Sequence, residues 1–368
     1  MSSRSSSADA SSSVSSSVPS GQAAPKPVVR GNLLLDSRTG EQFIPRGVNW
    51  GTFEYLCAQG RGYSELDALP YADPAGRVAH AIRAWGVNTV RLPLNEDCWL
   101  GTRDAPVSDQ ATPRTAAGYR AAVQGFVQAL NAQGIVVILD LQSRKRIGSD
   151  QFGNVAMPDA QSLDFWAQVA AAYASDPSVM FDAFNEPYSP ADASGARIFD
   201  LTWTCWRDGG CTPPVEDDPS TANGATYRAV GMAQVVTTIR AAGATQPILL
   251  SGLDYANDLS RWLQYAPADT QLVAAFHSYD FASSCSKTSC WDSVLAPLAQ
   301  RVPVLTSELG ANDPTDGYVS TYLDWADAHG VGALFWVWGE DPSMALATDE
   351  VGTPTPYGKL ARTWLLGK

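Results

Sequence analysis

Each of two glutamates follows directly on a short apolar run. They are Glu186, in Phe184-Asn185-Glu186-Pro187-Tyr188, and Glu308, in Thr306-Ser307-Glu308-Leu309-Gly310. Comparable run ends carry Asn49, Trp50 and Glu54, then Arg91, Gln142, Asp254 with Asn257, His277 with Tyr279, and Trp336 with Trp338. Two carboxylates can divide acid–base and nucleophilic work, and flat aromatic faces suit pyranose rings, so this set fits cleavage of a glycosidic bond. Carboxyl separation would set the stereochemistry, at about 5–5.5 Å for retention and about 6.5–9.5 Å for inversion. A lone glutamate after a strand is commonly a solvated loop residue. Two of them, each inside a polar motif at the end of a buried run, argue for a site.

The elements that must position these residues are eight apolar runs, at 43–49, 88–92, 135–141, 179–184, 247–251, 272–277, 302–307 and 333–338. Each is nearly all apolar rather than alternating, as expected of parallel strands covered on both faces. The segments between them have helical spacing. Residues 75–85 place Val78, Ala81, Ile82 and Trp85 on one face and stop at Gly86. Residues 115–132, 227–242 and 318–329 repeat the design before Gly134, Gly243 and Gly330. Repeated helix–glycine–strand joints predict an α/β fold, a (β/α)8 TIM barrel forming one catalytic domain over 28–368. A doubly wound open sheet is the alternative, but no glycine-rich phosphate-binding turn follows the first run. In such a barrel the residues after the strands converge on one face.

The motifs resemble those of glycoside hydrolase family 5, a cellulase-like family of retaining enzymes built on this barrel. Phe184 to Tyr188 is similar to its Asn-Glu-Pro signature, and Arg46-Gly47-Val48-Asn49-Trp50 to its first-strand segment. Val90-Arg91-Leu92-Pro93 resembles its second-strand arginine, His277-Ser278-Tyr279 its His-x-Tyr, and Thr306 to Gly310 its nucleophile strand. The insert from Trp203 to Cys211 is similar to one in secreted bacterial members. The resemblance implies that Glu186 is the general acid/base and Glu308 the nucleophile. It implies that Asn185 bonds the 2-hydroxyl of the sugar being cleaved, that His277 and Tyr279 hold substrate and nucleophile, and that Arg91 keeps Glu308 ionised. It also implies a tryptophan floor for the central subsite, Trp338 first and Trp336 second. Asn49, Trp50, Gln142 and Trp206 are further expected substrate contacts. The chain departs from the family after the third strand. There Leu139-Asp140-Leu141-Gln142-Ser143 stands where Leu-Asp-Leu-His is usual, and glutamine cannot act as an acid. The expected activity is endo-acting on β-glucan, with a mannanase, an exo-acting β-glycosidase or a non-catalytic carbohydrate-binding barrel as alternatives.

Composition narrows the partners. The chain has 25 Lys+Arg against 38 Asp+Glu, a formal net charge of −13 over 368 residues, which argues against nucleic acid and anionic membrane. An oligo- or polysaccharide acted on by a monomer is expected, with no cofactor and no metal. Residues 1–27 are dominated by serine and read as a disordered tail or linker, without the apolar core of a signal peptide. That tail and an even count of six cysteines fit a secreted protein whose leader has been removed. Loop positions suggest the pairs Cys57–Cys98, Cys205–Cys211 and Cys285–Cys290, among the several pairings that six cysteines allow. Five loop tryptophans, Trp50, Trp99, Trp203, Trp206 and Trp291, are expected on the rim, two or three of them touching sugar. Trp166, Trp262 and Trp325 fall at helical spacing and read as packing residues. Arg144-Lys145-Arg146 reads as a solvated basic loop, or else as a feature admitting an anionic substituent.

Overall fold

The computed structural model describes residues 23–108, 113–145, 152–215, 224–313, 317–339 and 343–368. Its centre is a closed parallel barrel. The staves are β3 (Arg46–Trp50), β4 (Thr89–Asn95), β5 (Val136–Lys145), β7 (Val179–Asp182), β8 (Ile248–Ser251), β9 (Leu272–Tyr279), β10 (Val304–Gly310) and β11 (Gly332–Trp338). Neighbours pair in the order β4-β3-β11-β10-β9-β8-β7-β5, and a further β4–β5 pairing closes the ring. All eight apolar runs are therefore staves. Every residue of β4, β7, β8, β9 and β10 is buried, because helices cover the outside while side chains fill the inside.

Alternation along the strands sorts the side chains into two cores. Val136, Ile138, Met180, Leu249, Val273, Ala275, Leu305 and Leu334 fill the barrel interior. Val90, Leu92, Val137, Leu139, Phe181, Leu250, Phe276 and Phe335 face the helices. The expected helices are present at Pro74–Arg83, Ala116–Ala132, Met232–Ala241 and Tyr318–His329. The third starts five residues later than its apolar spacing suggested. Gly330 adopts the left-handed conformation that ends the last of these helices. Trp166, Trp262 and Trp325 are packing residues, as their spacing predicted.

A hairpin of β1 (Pro27–Arg30) and β2 (Leu33–Asp36) was not foreseen in the sequence. Its Val29 and Leu34, with Phe43, join the interior core, so it plugs the end of the barrel where the strands begin. The described residues begin at 23, ahead of the hairpin. Ala24 is buried, and its carbonyl accepts from Ser178 Oγ at 3.3 Å. Lys26 N donates to Asp36 Oδ1 at 3.0 Å. These contacts tie the end of the serine-rich segment to the hairpin.

Cys57 is bonded to Cys98, Cys205 to Cys211 and Cys285 to Cys290, and among the described residues no cysteine is free. The Cys57–Cys98 link joins the loops after β3 and β4 across 41 residues. Loop-closure entropy gives a link of that span about 4 kcal/mol. The double change Cys57→Ser/Cys98→Ser should therefore lower the unfolding free energy by about that amount, measured by guanidinium denaturation under non-reducing conditions.

Candidate active site

Arg91 lies at the centre of the barrel mouth, fully buried. Alternation on β4 sends Val90 and Leu92 outward, so Arg91 points in. Its guanidinium uses its whole fork. Nε donates to Asp182 Oδ2 at 2.9 Å, and one terminal nitrogen to Asn49 Oδ1 at 3.1 Å and Glu308 Oε1 at 2.8 Å. The other donates to Asn185 Oδ1 at 2.8 Å and pairs with Asp140 Oδ2 at 3.1 Å. Three carboxyls thus share one cation. Burial pushes Asp182 up to about 6, against the pull of Arg91, and holds Asp140 well above the usual aspartate range.

Glu308 faces inward because of a break in register. Thr306 pairs with Phe276, but Glu308 pairs with His277, so β10 carries one extra residue at Ser307. Without that bulge Glu308 would share the outward side of Thr306, whose hydroxyl meets Tyr322 of a covering helix. A second extra residue lies in β11, where Phe335 pairs with Val48 and Trp338 with Trp50. Asn49 spans both irregularities, its Nδ2 donating to Ser307 O at 2.9 Å and to Phe335 O at 3.3 Å. Asn49 was expected to touch substrate. It is instead a fully buried brace between the two bulges and Arg91.

Glu186 sits beside this network. Its Oε1 is 2.7 Å from His277 Nδ1, and its Oε2 accepts from Asn154 Nδ2 at 2.8 Å. Burial raises its carboxyl to about 7, with Arg91 and the Asn154 hydrogen bond opposing. Glu308 differs in that its Oε1 is held by Arg91 and its Oε2 accepts from Tyr279 O–H at 2.7 Å. Burial lowers His277 to about 4, so its imidazole is neutral at neutral pH. Ligand atoms of Glu186, His277 and Glu308 all lie within 4.8 Å of one another. Three such groups have the spacing of a metal site; their carboxyl oxygens engage His277 Nδ1, Asn154, Arg91 and Tyr279, while His277 Nε2 has no hydrogen-bond partner among the described residues. A Cβ on Gly310 would come within 2.7 Å of the Tyr279 ring, so the glycine of Ser-Glu-Leu-Gly lets that tyrosine close over Glu308.

These groups open into a cavity of about 550 Å³. Glu186, Glu308, His277, Tyr279, Gln142 and Trp336 line it, joined by Glu54, Asp254 and Asn257. Tyr255 and Phe281 add two largely exposed rings. Asn154, which follows the two-residue strand β6 (Phe152–Gly153) paired with β5, was missed. Nothing periodic surrounds it in the sequence. Only the pairing of β6 with Arg144 and Lys145 brings it to Glu186.

Several expected contacts fall elsewhere. Trp338 is fully buried against Trp85, with ring centroids 4.7 Å apart, because the extra residue in β11 turns it outward. Trp336 takes the inward place. The tryptophan rim is absent among the described residues. Trp50 packs on Phe126, Trp206 donates to Ser251 O at 2.9 Å, and Trp99, Trp203 and Trp291 are likewise buried in the outer core. Indole area is worth more when buried against helices than on a solvated rim. Arg144 is also buried. It pairs with Asp159 at 3.3 Å and lies over the Tyr227 ring, in a cluster with Glu96, Asp97 and Arg103. It is neither a solvated loop cation nor a lining of the mouth. Arg146 lies outside the described residues.

Removing Arg91 would leave Asp140, Asp182 and Glu308 without their shared cation. Arg91→Met should cost about 3–5 kcal/mol of stability in urea denaturation at pH 7. Lowering the pH should recover part of that loss, since protonation relieves unpaired buried carboxylates.

A family model described as cellulase (glycosyl hydrolase family 5) matches residues 53–342. Endoglucanase EG-II of Hypocrea jecorina is 25% identical over 299 residues, 72% of this chain, and the chain spans 62% of that relative's length. A β-glucanase structure from Saccharophagus degradans superposes with TM-score 0.69 at 22% identity, covering 98% of each chain. The catalytic domain of a Thermobifida fusca endoglucanase superposes with TM-score 0.62 at 16% identity, covering 93% of this chain and 97% of that one. At those identities the two superpositions speak to the fold.

Proposed function

The chain belongs to glycosyl hydrolase family 5, and from that premise we propose that it is a retaining, endo-acting β-glucanase of the cellulase type. One observation carries the reading. Two carboxyls, Glu186 and Glu308, face each other with oxygens within 4.8 Å and in opposite environments. That bound falls short of the roughly 6.5–9.5 Å of inverting enzymes and sits with the roughly 5–5.5 Å of retaining ones. Burial keeps Glu186 protonated to about pH 7, while Glu308 accepts hydrogen bonds from Arg91 and Tyr279.

In this mechanism Glu186 protonates the leaving oxygen as Glu308 attacks the anomeric carbon, forming a glycosyl ester on Glu308 and releasing the first product. Glu186, now a carboxylate, takes a proton from water, which attacks the same carbon and frees Glu308. Tyr279 and Arg91 hold the nucleophile, and neutral His277 holds Glu186 in place. Trp336, the lining tryptophan, floors the subsite where the bond breaks. For Asn185 to meet the 2-hydroxyl, its Nδ2 turns from a long 3.4 Å contact with Asn154. The names of the relatives, endoglucanase and β-glucanase, support β-glucan as substrate. Three disulfides support an extracellular site of action for a monomer acting on polysaccharide. Among the described residues no helix is long and apolar enough to cross a membrane.

Glu186→Gln and Glu308→Gln should each lower kcat on β-glucan by about 10²–10⁴-fold or more, with melting temperatures near that of the parent. The first product seen by NMR should be the β-anomer; an initial α-anomer would exclude retention. The acid form of Glu186 is the active form, so kcat/KM should fall as pH rises through about 7. A flat profile to pH 9 would remove Glu186 from the acid role.

A further inference from the structure

A third carboxyl lines the cavity and has no part in the mechanism above. Glu54 stands in the short helix Thr52–Tyr55 after β3 and shares the cavity wall with Gln142 at the end of β5. Its backbone is fixed, because Glu54 O accepts from Asn95 Nδ2 at 3.0 Å, and the Cys57–Cys98 bond ties the same two loops. Gln142 is only 6% exposed, and its Oε1 has no hydrogen-bond partner among the described residues. A buried carbonyl oxygen without a donor is costly, and a ligand that brings an O–H removes that cost. The surroundings of Glu54 make it a donor. Burial, then the like charges of Glu308 and Glu186, push its carboxyl up to about 8, with Arg91 and Ser143 opposing. At neutral pH it is a carboxylic acid with one O–H to give.

Resting on the glycosidase reading, we propose that Glu54 and Gln142 form a donor–acceptor pair that selects the bound sugar ring by its hydroxyls. Glu54 donates to one hydroxyl oxygen, and Gln142 Oε1 accepts from a hydroxyl hydrogen. The ligand class is a pyranose that presents hydroxyls to this wall. A site built to bond a hydroxyl discriminates strongly against an analogue lacking it, because the buried partner is then left unpaired. The departure from the family at Gln142 becomes part of this pair: an uncharged amide acceptor set beside a neutral acid donor.

The test compares the parent, Glu54→Gln, Glu54→Leu and Gln142→Leu on an aryl β-cellobioside and on its mono-deoxy analogues. Glu54→Leu and Gln142→Leu should each lose about 10-fold in kcat/KM, whereas Glu54→Gln keeps an N–H donor and should stay within about 3-fold. One deoxy substrate should cost the parent about 10-fold and cost Glu54→Leu nothing further, the signature of a contact between that residue and that hydroxyl. Equal rates in parent and Glu54→Leu, equal losses in the Gln and Leu variants, or fully additive deoxy penalties would each overturn the proposal. If Glu54→Leu does not fold, judged by its melting curve, the Gln142→Leu and deoxy comparisons decide. A parent inert toward every β-glycoside would overturn the functional reading instead. Calorimetric titration of the same variants with cellotetraose would then decide the pair, weaker binding in the Leu variants alone supporting it and equal affinities refuting it.

Discussion

One buried guanidinium organises the mouth of this barrel. Arg91 reaches acceptors on β3, β5, β10 and the β7 segment, so a single side chain records the relative position of most staves. A cation taken from water into such a place is tolerated only when every donor finds a partner. Here the guanidinium donates to Asn49, Asp182, Asn185 and Glu308 and pairs with Asp140, so three carboxyls face one cation. The excess is absorbed by raised carboxyls at Asp140 and Asp182. Function and stability therefore draw on the same group. The cation that orders the barrel centre also gives Glu308 its donor, while Glu186, one layer away, is held by an asparagine and a neutral histidine.

The two register breaks form the second layer of the design. A regular β10 would turn Glu308 toward the helices, and a regular β11 would place Trp336 and Trp338 on the same face. One extra residue in each strand re-aims the side chains. Asn49 satisfies a carbonyl at each break and accepts from Arg91, so the bulges and the cation are a single hydrogen-bonded unit. The cavity that results has mixed walls, with aromatic rings of Tyr255, Tyr279, Phe281 and Trp336, and polar ends of Glu54, Gln142 and Asn154. Most of the other tryptophans serve the seam between strands and helices.

Much of the fold was legible in the chain. Eight apolar runs became eight staves because a strand covered on both faces must be apolar throughout, and few other elements share that pattern. The hairpin was not legible, since four-residue strands leave too short a trace for periodicity to register. The short disulfide loops could be paired by position, because near neighbours in a loop have little choice. Asn154 could not be found, because a two-residue strand has no signature and its contact with Glu186 spans 32 residues.

The sequence by itself determined the barrel, the place of Glu186 and Glu308 at strand ends, and the arginine that faces them. Those features rest on local patterns: apolar runs, glycine stops and the residues immediately after them. Tertiary structure decided which side chains enter the cavity. Trp336 rather than Trp338, Asn49 as a brace, Arg144 in a buried ion cluster and the upward push on the Glu54 carboxyl all depend on register, burial and distant charges. A single extra residue in a strand reverses the facing of all that follows, and no composition marks it.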